Sequence, residues 1–318
     1  MSNVDPAPDE VDCRASRFTG VLPAREVPLG GPRAMPVRRT LPAKQRSMIG
    51  AWCFADHYGP RDVRAGGGMD VPPHPHTGLQ TVSWLFEGEI EHRDSNGVHA
   101  MVRPGELNLM TAGAGICHSE VSTPAAATLH GVQLWVALPD TDRHTARDFA
   151  HYAPGIADVG GATLRVFLGE LAGSRSPVHT FTPLLGAQLD VAPHAVVSLD
   201  VDPTFEHGLL LDDGNVEFGG TALNRGDLAY QSPGFDRLEI VNRGAAPARM
   251  ILLGGPPFAE ALLMWWNFVG RTHDEIAEYR GLWQAGDDRF GAVTGYRGAV
   301  PRLPAPALPN ARLKPRGR

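Results

Sequence analysis

Cysteine is scarce in this chain. Three residues (Cys13, Cys53, Cys117) among 318, widely spaced and odd in number, do not make a disulfide framework. No uninterrupted apolar run approaches the length of a bilayer span, and Met1 to Asp12 is polar and acidic with no apolar signal core. These absences set the expectation of a soluble protein in the reducing cytoplasm, with no membrane partner. Positive charge is not in excess either. Against 35 Asp and Glu stand 29 Lys and Arg, a formal net charge of −6, and the basic residues are scattered apart from those after Pro301. That balance argues against a nucleic-acid partner. Also missing are a nucleophile elbow, a phosphate loop ending in Lys-Ser/Thr and a dinucleotide fingerprint. Hydrolase and nucleotide-dependent chemistries therefore fall away.

What the chain has instead is turn chemistry. It carries 37 Gly and 28 Pro among many short β-branched runs, a pattern that predicts an all-β architecture. Its length is about twice that of a typical domain. Residues 1–15 are expected to be disordered, 16–140 to form a first barrel, 141–162 a linker and 163–255 a second barrel. A strand and helix over 256–300 should pack on the barrels, ahead of a flexible tail at 301–318. Segments from Phe18 to Phe54 read as strands entering the first barrel. Ser95-Asn96-Gly97 reads as a hairpin through a type I′ turn, and Gly66-Gly67-Gly68 as a loop at the mouth of a site. Thr272-His273-Asp274-Glu275 is a capping box that opens a helix to about Gln284, with Ile276, Tyr279 and Trp283 on its packed face.

The most informative residues are two short pairs. His74 and His76 are two apart, as are His118 and Glu120. On a strand such residues share a face, so two neighbouring strands can close three imidazoles and a carboxylate around one ion. Imidazole with a single carboxylate suits Fe, Ni, Cu, Mn or Zn and is a poor match for Ca or Mg. The second half partly repeats the first: Asp213-Gly214-Asn215-Val216-Glu217 echoes Glu87-Gly88-Glu89-Ile90-Glu91. It has no His-x-His, and Ser232-Pro233-Gly234-Phe235-Asp236-Arg237 stands where the second pair would recur, so it is expected to hold no metal. Cys117 is expected to be a packed thiol, His92 a hydrogen-bonded barrel residue and His57 structural. His179, His194 and His207 are expected to be structural or at the surface.

Four stretches carry a resemblance. They are Gly50-Ala51-Trp52-Cys53-Phe54-Ala55-Asp56-His57-Tyr58-Gly59-Pro60, His74-Pro75-His76-Thr77-Gly78-Leu79-Gln80-Thr81, Glu87 to Ser95, and Met110 to Glu120. Together they resemble the pirin family of the cupin superfamily. The resemblance implies a bicupin of two double-stranded β-helix barrels with a short C-terminal helix. It also implies one divalent metal, Fe(II) first, on His74, His76, His118 and Glu120, and a quercetin 2,3-dioxygenase activity. In that activity Glu120 is the catalytic base that removes the flavonol 3-hydroxyl proton, and ring opening by O2 releases carbon monoxide. The implied partners are a small aromatic or enol substrate and O2, with the protein a monomer. A different enol substrate is a variant of this reading. An iron-containing regulator that binds a transcription factor or a metabolic enzyme is the alternative. Departures lie beside the ligands: Thr77, Gln80 and Ala114 replace a basic residue, Glu and Arg found in many members.

Overall fold

A computed structural model describes residues 20–28, 35–64 and 68–315. Cys13, the segment expected to be disordered, the Gly66-Gly67 part of the glycine loop and residues 316–318 lie outside the described residues. The architecture is all-β, two barrels and one helix, as expected. Each barrel pairs a seven-stranded antiparallel sheet with a four-stranded one. In the first, the small sheet runs Asp70–His76, Ile116–Ser122, Ile90–Asp94, His99–Val102. The second repeats that order with Val196–Asp200, Arg237–Asn242, Val216–Phe218, Thr221–Ala222.

The two large sheets pack against each other. Their strands are therefore buried on both faces, as in Leu79–Glu87 and Thr128–Ala137, where the polar Gln80, Thr81, Ser83 and Gln133 are buried among the apolar residues. One hydrophobic cluster crosses the junction, with Trp52, Phe54 and Trp84 of the first barrel against Phe167, Leu210 and Ile251 of the second. Fully burying each such side chain contributes about 1.5–3 kcal/mol. The indoles bridge as well as fill: Trp84 Nε1 donates to Gln188 Oε1 at 2.8 Å and Trp52 Nε1 to the Leu185 carbonyl at 3.0 Å.

Several expectations are corrected. The strand Gly20–Leu22, expected in the first barrel, joins the second barrel's sheet beside Leu228–Gln231. The expected linker contains Asp148–Tyr152, which pairs with Leu107–Thr111 and extends the first barrel's sheet. The second barrel thus takes an edge from the N-terminal arm and the first takes one from the expected linker, and sequence order alone misassigns both. The hairpin at Ser95-Asn96-Gly97 is not type I′. Only Gly97 of the three has a positive φ (85°), and the Asp94 carboxylate accepts from the backbone N–H of Asn96 and Val98 instead. The segment from Pro301, expected as a flexible tail, packs along the helix. Trp283 Nε1 donates to the Leu303 carbonyl, the Leu303 N–H to the Pro73 carbonyl, and Ala305 is buried. Leu303, Leu308 and Leu313 supply the apolar contacts that its composition hid.

The helix His273–Ala285 forms as its capping box dictates. Thr272 accepts from the Glu275 N–H, Gly286 closes the end with φ 76°, and Ile276, Tyr279 and Trp283 are buried. Just before it, Leu263–Trp265 and Phe268–Gly270 form a hairpin whose turn presses on the first barrel.

Candidate metal centre

Two prolines shape the strand that carries the first histidine pair. Pro72 and Pro73 offer no N–H to a ladder, and here the register against Ile116–Ser122 shifts: His118 opposes His74 but Glu120 opposes Val71. Along its other edge the register is unbroken, so His118 and Glu120 keep one face, opposite Asp94 and His92. All of these residues are buried, with His74, His76 and His118 at 0% exposure.

The three imidazoles meet. His76 Nε2 lies 3.1 Å from His118 Nε2, and the His74 ring centroid is 4.3 Å from that of His118. What each ring does with its far nitrogen fixes the proton. His74 Nδ1 donates to the Pro72 carbonyl at 2.8 Å, and His76 Nδ1 to the Asn267 carbonyl at 3.2 Å. His92 Nε2 donates to Asp94 Oδ2 at 3.1 Å, which leaves His92 Nδ1 to accept from His118 Nδ1 at 3.4 Å. Burial lowers His74 to about 3 and lowers His76 and His118 well below the ordinary imidazole value. The rings are then neutral, and three Nε2 lone pairs converge on one point. His74 Nε2 has no protein partner. Lone pairs facing each other at such distances repel unless a cation stands between them, and hydrogen-bonded Nδ1 atoms are how ligating histidines are oriented.

Glu120 is placed next to this trio rather than equally among it. Its carboxylate groups with His118 and His92, all ligand atoms within 4.8 Å of one another, while His74, His76 and His118 form the companion group. Ser83 Oγ lies 3.2 Å from Glu120 Oε1 and 2.9 Å from Gln133 Oε1. Among the buried polar atoms without a protein partner are also Tyr58 OH, Gln133 Nε2 and Trp135 Nε1. Gln133 shares Ser83 with Glu120, and the Trp135 ring is 5.2 Å from that of His76. Burial, then the nearby Glu120 charge, raises the Tyr58 phenol. These donors suit oxygen atoms of a small molecule.

Sequence reasoning does not find Tyr58, Gln133 or Trp135, nor the Asn267 carbonyl. The two-residue alternation of Gln133 and Trp135 on their strand is the available signal. His92 is hydrogen-bonded, but its partner is the ligand-set residue His118. Cys117 lies in the aromatic cluster beneath the helix, and burial pushes its thiol up to about 12. Gln80 donates to Thr111 Oγ1.

A third group, His57, His130 and Asp212, has the residue types of a metal site but not the lone pairs. Arg38 Nε donates to His57 Nδ1, so His57 Nε2 carries its proton and gives it to Asp212 Oδ1 at 2.7 Å. Arg249 Nε donates to Asp212 Oδ2 at 2.6 Å. With its donors and acceptors matched, this cluster clamps the barrels together.

Comparison with known proteins agrees with the geometry. The pirin family model matches residues 34–136, and the model of the pirin C-terminal cupin domain matches residues 186–291. A Pseudomonas aeruginosa protein named "Putative quercetin 2,3-dioxygenase PA1205" is 45% identical over 289 residues, 90% of this chain and 89% of that protein. A pirin-like protein of Caulobacter vibrioides is 35% identical over 84% of this chain and 93% of its own length. The crystal structure of a quercetin 2,3-dioxygenase from Acinetobacter baumannii superposes with a TM-score of 0.87 at 40% identity, covering 92% of this chain and 97% of that one.

Proposed function

This chain belongs to the pirin family, and from that premise we propose that it is a metal-dependent dioxygenase that cleaves a flavonol of the quercetin type or a similar enol with O2. His74, His76, His118 and Glu120 would hold one divalent transition metal, Fe(II) first. The observation that carries the reading is the convergence of three neutral Nε2 atoms, each set by a hydrogen bond on the ring's other nitrogen. Such an ion supplies Lewis acidity toward a chelating enol and a centre at which O2 can react.

The chain's own residues do the rest. Glu120 accepts the acidic hydroxyl proton of the substrate, and the one Ser83 hydroxyl proton is shared between Glu120 Oε1 and Gln133 Oε1. Tyr58, Gln133 and Trp135 donate to substrate oxygens and so orient the ring system. The Asp94–His92 pair holds His118 in the tautomer that binds metal. The buried surroundings keep bulk water from the electron-rich anion, which would otherwise be reprotonated. Names of relatives support the substrate class, since one similar protein is named "Putative quercetin 2,3-dioxygenase PA1205" and a similar solved structure is that of a protein called quercetin 2,3-dioxygenase.

Metal analysis of the purified protein beside oxygen uptake with quercetin tests this directly. One equivalent of a transition metal and metal-dependent quercetin consumption are expected. A metal-loaded protein that leaves quercetin and other enolisable flavonols untouched would refute the enzymatic reading.

A further inference from the structure

The second barrel has its own buried histidine. His207 opens the strand Glu206–Asp213 and opposes Gly254 and Gln231, as Thr81 opposes Trp135 and Met110 in the first barrel. Ser83 lies two residues beyond Thr81 on the face that meets Glu120, so His207 occupies an inward-facing position by strand alternation. Where the first barrel has the Trp135 indole, the second has only Gly254. A Cβ there would come within 3.0 Å of His207 Cδ2, so the missing side chain makes room for the imidazole.

His207 is 1% exposed, and neither ring nitrogen has a protein partner. Burial lowers it to about 4, so at neutral pH the ring is uncharged and presents one N–H and one lone pair. The ring lines a cavity of about 590 Å³, within the usual range of small-molecule sites, roughly 300–1,000 Å³. Leu184, Leu185 and Val201 give it apolar walls, and the Phe205 ring stands 6.2 Å from the imidazole. The strand pair Glu170–Leu171 and Ser174–Arg175 contributes another side. Charge on the lining is acidic: Glu170, Asp200 and Asp202 against Arg175, with Asp200 also paired to Arg237. An anion is therefore disfavoured. A flat apolar body meets the walls, and a hydroxyl meets the imidazole as donor or acceptor.

We propose that this cavity is a second ligand site, which takes an uncharged aromatic alcohol and reads its hydroxyl through His207. The proposal is independent of the metal centre, whose ligands all lie in the other barrel.

Calorimetric titration of the full-length, metal-loaded protein with 2-naphthol tests it, with 2-naphthoate as the anionic counterpart. The His207→Leu variant removes the hydrogen-bonding ring, and Thr180→Trp fills the cavity from its half-buried rim. Neither touches a metal ligand, so 2-naphthol held at the metal centre would bind both variants as before. The expected result is saturable binding to the wild type, about tenfold weaker in His207→Leu, the worth of one hydrogen bond. It is also weakened in Thr180→Trp, and 2-naphthoate binds more weakly than 2-naphthol. Absence of 2-naphthol binding, wild-type affinity in either folded variant, or equal affinity for 2-naphthoate would overturn the proposal. Should His207→Leu fail to fold, Thr180→Trp and the naphthoate comparison decide it.

Discussion

The two barrels are built on one plan, and their strand registers allow residue-by-residue comparison. Gly88 and Gly214 turn the corresponding hairpins with φ of 99° and 112°. Counting from them, Ile90 opposite Ser122 matches Val216 opposite Asn242. His118 then corresponds to Leu238, Glu120 to Ile240, His92 to Phe218 and His74 to Leu199. All four replacements lie in the second barrel's hydrophobic core. The first barrel gives up that apolar filling to bring three imidazoles and a carboxylate out of water. Desolvated polar groups are costly without partners, so the backbone carbonyls, Asp94 and the proposed cation are what make its interior tenable. The same frame therefore carries either an apolar core or a cluster of candidate metal ligands, and His74, His92, His118 and Glu120 are four of the positions that decide which.

Removing a ligand breaks the comparison most completely. His118→Ala is expected to lose stoichiometric metal and all metal-dependent quercetin turnover while the barrels stay folded, since the aliphatic and aromatic cores survive. Metal analysis and thermal unfolding run in parallel check this, and wholesale unfolding would make the ion structural. Glu120→Gln comes next. An amide oxygen can still face the metal but takes no proton, so turnover should fall by about 10²–10⁴-fold with a much smaller loss of metal. Steady-state rates at matched metal loading are the measurement.

A milder change copies the second barrel into the first. His92→Phe places the residue found at the matching position, Phe218, and cuts the chain from Asp94 to His118. Removal of such a supporting partner weakens metal binding about 10–100-fold, to be read by competition with a chelator. The reverse exchange has the smallest effect. Leu238→His puts one imidazole into a dry core with no companion ligands. It should bind no metal and lower stability by about 1–3 kcal/mol, measured by denaturant unfolding.

How much of this is legible in the amino-acid sequence alone? The meeting of the two pairs is, because His-x-His and His-x-Glu remain strand-spaced whatever the register. The two-barrel plan is too, through its repeated Gly-centred turns. The helix follows from Thr272 and Glu275 and the spacing of Ile276, Tyr279 and Trp283. Less visible is anything that depends on contacts between distant segments. Asn267 serves His76 across 191 residues of sequence, and no local pattern announces a backbone carbonyl. The position of the missing second pair is hidden as well. Ser232 to Arg237 precedes most of the strand, and the true counterparts Leu238 and Ile240 look like ordinary strand residues. His57 braces the molecule through Asp212, a partner that belongs to the other barrel and that no spacing near His57 points to.

The N-terminal and linker edge strands bear on how the molecule is made. Gly20–Leu22 precedes the first barrel in the chain but pairs with Leu228–Gln231, so it must wait for most of the chain. Such distant pairing raises contact order and slows the last stage of folding. Until then Gly20–Leu22 is itself an unpaired strand, open to other nascent chains. By contrast, Asp148–Tyr152 follows closely on the barrel it completes, although the Asn267 carbonyl that orients His76 arrives only with the C-terminal hairpin. The first barrel's edge is thus set early, while the N-terminal strand's pairing and the hydrogen bond that orients His76 come late. A fragment ending near residue 152 would carry the ligands but leave its N-terminal arm without a partner.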